Sequence, residues 1–237
     1  MYQNHSDKQF LQLIFTSEWR LGLDYVEEAK NRRLVAIPFL CDVLRKERNY
    51  RFVDKRFWGV IHAVHILGIL GNTRAFDAFI SASKLSHRHD IDWIWDALPE
   101  CYFRLGKSII PRLMRYIKAL KTADYDFIQE EILGLWNLWE ENPQERKGIE
   151  GFLLKIIKDH DTHPVTRVSL MADFAQLGRR DLKPLFEGIC EREENDIGIL
   201  TGEDLDYFFE SVHCPPTSHY ALEDFYCAGE VEGRQGG

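Results

Sequence analysis

Ala36-Ile37-Pro38-Phe39-Leu40, Ile109-Ile110-Pro111-Arg112-Leu113 and Leu182-Lys183-Pro184-Leu185-Phe186 are three versions of one short pattern, and each proline lies 73 residues from the next. Proline is tolerated in the first turn of a helix, where its missing N–H would have no partner. Each of the three therefore marks a helix start. Weaker copies, Thr73-Arg74-Ala75-Phe76 and Arg146-Lys147-Gly148-Ile149, stand near the half-way points. The repeat length is then about 36 residues, the range of helical-hairpin arrays.

Working outward, the apolar residues keep helical spacing, as in Phe10-Leu11-Leu13-Ile14, Val60-Ile61-Val64-Ile66-Leu67 and Ile109-Ile110-Leu113-Ile117. Alternation with period two is scarce, which argues against a large sheet. Gly71-Asn72, Leu105-Gly106-Lys107 and Leu177-Gly178-Arg179 punctuate the helices as turns. The expectation is an all-α chain of five hairpins over about residues 8–46, 50–86, 90–120, 124–159 and 163–192, each pair burying its apolar faces on its neighbours. Each proline opens the second helix of its pair.

Beyond residue 192 the pattern changes. Thr201-Gly202-Glu203-Asp204 reads as an N-cap with an acidic residue at N3. It opens a short helix, Leu205 to Val212, that Cys214-Pro215-Pro216 ends, and a last short helix is expected from Ser218 to Tyr226. The division expected is repeats over 1–192, an acidic helical cap over 193–228 and a disordered end over 229–237. The cap is expected to close the fifth hairpin through Leu205, Tyr207, Phe208 and Phe209.

The net charge of −8 is unevenly spread. From residue 191 onward there are twelve acidic and two basic residues, a balance of −10 that leaves the repeats near neutral at +2. Such a chain is a weak candidate for bulk nucleic-acid binding, which needs Lys and Arg to release counterions. No apolar run is long enough for a membrane span and no signal peptide is evident. Five cysteines without a Cys-x-x-Cys pair do not form a disulfide framework. The cytoplasm is the expected location.

The hairpin period, the Leu-Gly turns and the Ile-Pro-x-Leu helix start resemble HEAT repeats of the PBS-lyase type, over about residues 20–190. Ile61-His62-Ala63-Val64-His65-Ile66-Leu67-Gly68, with Leu185-Phe186 and Ile199 to Leu205, is similar to an uncharacterised bacterial HEAT-like family. Some members of that family end in a cysteine-rich metal motif; Cys214 and Cys227 here form no Cys-x-Cys pair. The resemblance implies an α-solenoid and says little about function.

Candidate chemistry is sparse. His62 and His65 stand one turn apart in an apolar segment, followed by His87 and His89, and read as packed histidines beside the alternative of a metal site. His213, Cys214, His219 and Cys227 are metal-competent types at a spacing that fits no common zinc module. Asn195-Asp196-Ile197-Gly198 reads as a turn rather than a calcium loop. No histidine is followed by Glu, which disfavours a HEAT-like iron hydroxylase. Trp136, Trp139, Trp93 and Trp95 read as inter-repeat core, with partner anchoring as the alternative. Arg45 to Arg51 with Lys55-Arg56-Phe57-Trp58 is a solvated loop or a phosphate contact.

One regularity remains. The turn inside every hairpin is basic: Arg32, Arg33, Arg74, Lys107, Arg146, Lys147, Arg179 and Arg180. Cations favour the C-terminal end of the preceding helix through its dipole; the alternative is a partner-binding edge. Without a phosphate loop, nucleophile elbow or Cys-His-Asn signature, the expected function is a non-enzymatic scaffold for a protein or peptide partner, with no cofactor. The alternatives are a HEAT-like enzyme or cofactor handler resembling the bilin lyases, and a weak nucleic-acid binder through Arg45 to Arg56.

Overall fold

The computed structural model describes residues 2–51, 56–123, 125–193, 202–210 and 214–227, and every regular element among them is helical. The helices are α1 (Asp7–Gln12), α2 (Leu23–Asn31), α3 (Arg33–Arg45), α4 (Arg56–Leu70), α5 (Phe76–His89), α6 (Asp92–Arg104), α7 (Ile110–Ala119), α8 (Gln129–Glu141), α9 (Arg146–Lys158), α10 (Pro164–Gln176), α11 (Lys183–Glu193) and α12 (Gly202–Glu210). No described helix is long and apolar enough to cross a membrane. The expected Thr201 cap, the 195–198 turn, His213 and the 229–237 end lie outside the described residues.

Glycines at Gly71, Gly106 and Gly178 take positive φ just beyond α4, α6 and α10. This left-handed conformation ends a helix without the steric penalty a Cβ would bring. A single 3₁₀ turn follows in each case, over Thr73–Ala75, Lys107–Ile109 and Arg180–Leu182. Pro111 and Pro184 then occupy the second position of α7 and α11, as the spacing predicts. Pro38 differs, lying inside α3 rather than at its start. The carbonyl it leaves without an N–H partner is that of Leu34, four residues back, and Leu34 is 84% exposed, so water can satisfy it.

The described residues divide into two compact units, one within Ile110–Ser218 and the other made of residues 2–109 together with 219–227. In the latter unit, Ser6 and Gln9 start α1 with a reciprocal capping box. Asn49 Nδ2 and the Tyr50 hydroxyl donate to the carbonyls of Val43 and Leu44, at 2.8 and 2.7 Å, and so satisfy the C-terminal end of α3. The centre is α4, which is apolar on all sides and buried from Phe57 through Gly68 apart from Trp58. Such a helix is stable only when enclosed. Five of its side chains, Val60, Ile61, Val64, Ile66 and Leu67, have no exposure; their burial is worth on the order of 10 kcal/mol relative to exposure.

Part of the enclosure is supplied by α3, α6 and the 3₁₀ turn Leu13–Phe15. The rest comes from the far end of the chain. Leu222 and Tyr226 are 0% and 1% exposed, and Leu222 lies against Gly68 and Cys101. A Cβ on Gly68 would stand 2.5 Å from Leu222 Cδ1 and 2.7 Å from Cys101 Sγ, so only glycine allows this approach.

In the Ile110–Ser218 unit a line of aromatic rings ties α8, α10, α11 and α12: Trp136 meets Phe174 edge-on at 5.4 Å, Phe174 lies tilted to Phe186 at 6.3 Å, and Phe186 stacks on Phe209 at 6.3 Å. The helix α12 packs on α10 and α11 through Leu205 and Phe209, which are 0% and 3% exposed. Tyr207, expected to dock with them, is 71% exposed because it lies two residues from both, on the opposite face. Lys183 adds an ion pair to Asp206.

Gly68→Val is expected to lower stability by about 1–3 kcal/mol through overpacking against Leu222 and Cys101. Denaturant melts check this; an unchanged midpoint would show that residues 219–227 do not seat on α4.

Candidate binding site

The two histidines of α4 lie beneath the C-terminal segment. His62 is fully buried; its Nε2–H donates to the Glu18 carbonyl at 2.5 Å, and its Nδ1 faces the Tyr226 hydroxyl at 3.3 Å. Glu18 adopts a positive φ of 50°, turning its carbonyl inward at a cost of about 1 kcal/mol. His65, 1% exposed, donates from Nδ1 to the Ile61 carbonyl at 2.9 Å, one turn back on its own helix. That bond fixes the tautomer and leaves Nε2 with a lone pair and no partner among the described residues. Phe225 stacks on the His65 ring at 4.4 Å. Burial lowers both imidazoles from 6.5 to about 4, against the opposing effect of their backbone bonds. Both are neutral at pH 7.

One stripe of α6, at four-residue intervals, meets the same segment. Arg104 grips Glu223 with a two-toothed contact, Nη1 to Oε1 at 2.5 Å and Nη2 to Oε2 at 2.8 Å, and donates from Nε to Glu100 at 2.7 Å. The guanidinium holds the Glu223 carboxyl below its usual range. Glu100, 5% exposed, also lies 3.5 Å from His219. Asp96, one turn earlier, is exposed and makes no ion pair with a described residue. It acts with burial to raise the Tyr220 phenol, burial being the larger cause.

Asp96, His65, Trp93, Tyr220 and Phe225 line a pocket of about 380 Å³. Trp93, 48% exposed, is shared with an adjoining pocket of about 320 Å³ whose other walls are Phe57, His89, Asp90, Ile91 and Asp92. Three aromatic rings, one carboxylate and a neutral imidazole thus meet in the first pocket, and two further carboxylates line the second. The arrangement suits binding of a group with apolar and positive character.

The basic turn residues are used in several ways. Arg32 binds Glu28, Asp7 and the carbonyls of His5 and Tyr2, and covers the Phe10 ring. Arg146 donates to the carbonyls of Trp139 and Glu140 at 3.1 and 2.7 Å and lies over Trp139, which is the helix-end role. Arg179 pairs with Glu150 and Asp181. Arg33, Arg74, Lys107, Lys147 and Arg180 are exposed. Near the basic loop, Lys46, Arg48 and Arg56 line a pocket of about 330 Å³ together with Asp42; residues 52–55 lie outside the described residues.

Of the tryptophans, Trp136 is core, its Nε1 donating to Asp173 at 2.8 Å, while Trp93 is at the surface. Among the described residues no group of three or more His, Cys, Asp or Glu is placed to hold a metal ion. No motif in the sequence marks the pocket residues Asp96, Tyr220 and Phe225. Trp93 and Asp96, at i and i+3, share a helix face, which is the one local signal available.

Because the folded-state imidazoles titrate near 4 and free histidine near 6.5, their contribution is complete above pH 6.5 and is lost as pH falls toward 4. Each can account for about 3 kcal/mol at most. Unfolding free energy measured by urea titration is expected to fall steeply between pH 6.5 and 4, with a smaller slope in His65→Phe. Equal slopes in wild type and variant would show that His65 titrates as in the unfolded chain. In comparisons with family models, curated proteins and solved structures, the chain matches none.

Proposed function

We propose that the chain is a non-enzymatic peptide-binding protein built from HEAT-like helical hairpins. The repeat reading draws support from the run of ten successive helices, α2 to α11, each nine to fifteen residues long. The period of the proline pattern and the positive-φ glycines after α4, α6 and α10 agree with it. All five cysteines are free thiols, as suits a cytoplasmic protein.

The observation that carries the binding reading is the pair of adjoining pockets sharing Trp93. Each is at the lower end of the range for ligand pockets, about 300–1,000 Å³. That is room for one side chain rather than for a large cofactor. Two such pockets side by side suit successive side chains of an extended peptide, with the exposed indole as the anchor between them.

Selection of random twelve-residue peptides on the purified full chain tests this. Enriched peptides are expected to share a motif, and a Trp93→Ala/Tyr220→Ala variant is expected to lose them. No enrichment, or the same enrichment on the variant, would contradict the reading.

A further inference from the structure

We propose that the pocket formed by His65, Trp93, Asp96, Tyr220 and Phe225 takes a cationic side chain, lysine or arginine, of the bound peptide. This deepens the peptide-binding reading and rests on it.

The lining contains a carboxylate and no cation. Asp96 has no counterion among the described residues, and the Tyr220 hydroxyl makes no hydrogen bond to them. Three aromatic side chains surround the same space, and a cation gains from the negative face of each ring it approaches. Trp is the best such ring, and Trp93 is half exposed, so it is open to a ligand.

The floor gives a second, independent observation. His65 is 1% exposed, and its Nε2 lacks a partner while its Nδ1 is committed to the Ile61 carbonyl. A neutral imidazole in this tautomer presents only an acceptor at Nε2, and a buried acceptor without a donor costs about 1–3 kcal/mol. A cation beside the ring reduces that cost, and an anion raises it. An anionic occupant is also opposed by Asp96. A purely apolar occupant would leave Asp96 facing apolar surface and lose its hydration.

The adjoining pocket has the same sign. Asp90 and Asp92 line it, and Asp92 already accepts from the Trp93 backbone N–H at 2.8 Å. His89 there pairs with Glu47 at 3.5 Å. An extended peptide with two neighbouring basic side chains would place one in each pocket, on either side of the Trp93 indole. Lysine and arginine both satisfy the chemistry; arginine adds stacking on the indole and a fork for the Asp96 carboxylate.

The test uses fluorescein-labelled nine-residue Gly/Ser peptides whose centre carries paired lysines, arginines, glutamates or leucines. Binding to the full chain is followed by fluorescence anisotropy at about 150 mM salt, where long-range attraction to an acidic protein is screened. The lysine and arginine peptides are expected to bind saturably and the other two not. Asp96→Asn and Trp93→Ala are each expected to weaken binding about tenfold, with Trp93→Phe recovering part of the loss. Asp161→Asn, which removes an exposed carboxylate from the other unit, is expected to change nothing. Both pocket residues are exposed, so thermal melts are expected to show the variants folded.

Equal binding of the leucine peptide would overturn the cationic assignment and leave peptide binding standing. So would selected peptides whose shared motif lacks a basic residue. Basic peptides that bind equally well to Asp96→Asn and Trp93→Ala would show general attraction to an acidic chain and overturn the site. Failure of all four peptides, together with failed selection, would remove the peptide reading itself.

Discussion

A helix with no polar face must be enclosed, and α4 is such a helix. Its residues Val60 to Leu67 are buried without exception, two histidines included. No single neighbour can cover a helix on every side. In this unit α3 and α6 take two sides, the Leu13–Phe15 and Glu47–Tyr50 turns take others, and residues 219–227 add to the cover. Gly68 is the point on which that cover turns, since any side chain there would push Leu222 and Cys101 away.

The cover also explains why polar groups are tolerated so deep. His62 spends both ring nitrogens on Glu18 and Tyr226. Arg104 and Glu100 form a paired network with Glu223 and His219, which orients the segment by charge once Leu222 has seated. Apolar burial supplies most of the free energy here, and the exposed part of the ion pair contributes at most about 1 kcal/mol. His65 keeps an acceptor in reserve where Tyr220 and Phe225 leave a pocket beside Asp96. The candidate site is thus a by-product of the same docking: it does not exist until residues 219–227 lie on α4 and α6.

This explains what could be read in the sequence and what could not. Helical periodicity, the Leu-Gly turns and the prolines at 111 and 184 are local signals, and each helix they mark is present. Pro38 misleads by one turn: it lies inside α3, where the exposed position of Leu34 four residues back lets water take the place of the missing N–H. Charge counting correctly marks the C-terminal part as acidic, but charge does not choose a location. Of the basic turn residues, Arg32, Arg146 and Arg179 hold partners within the fold, and Arg33, Arg74, Lys107, Lys147 and Arg180 are exposed. The partner of Glu223 is Arg104, the last residue of α6, 119 positions away. Tyr220, Phe225 and Asp96 carry no motif, so only the tertiary contact makes them a site.

Everything at the site depends on docking of residues 219–227 on α4 and α6, which hydrogen exchange at the amides of residues 222–226 reports. Slow exchange is expected in the full chain at pH 7, accelerating many-fold in an Arg104→Ala variant while the amides of α8 are unaffected. Exchange of these amides at the rate of an unstructured peptide in the wild-type chain would contradict that docking.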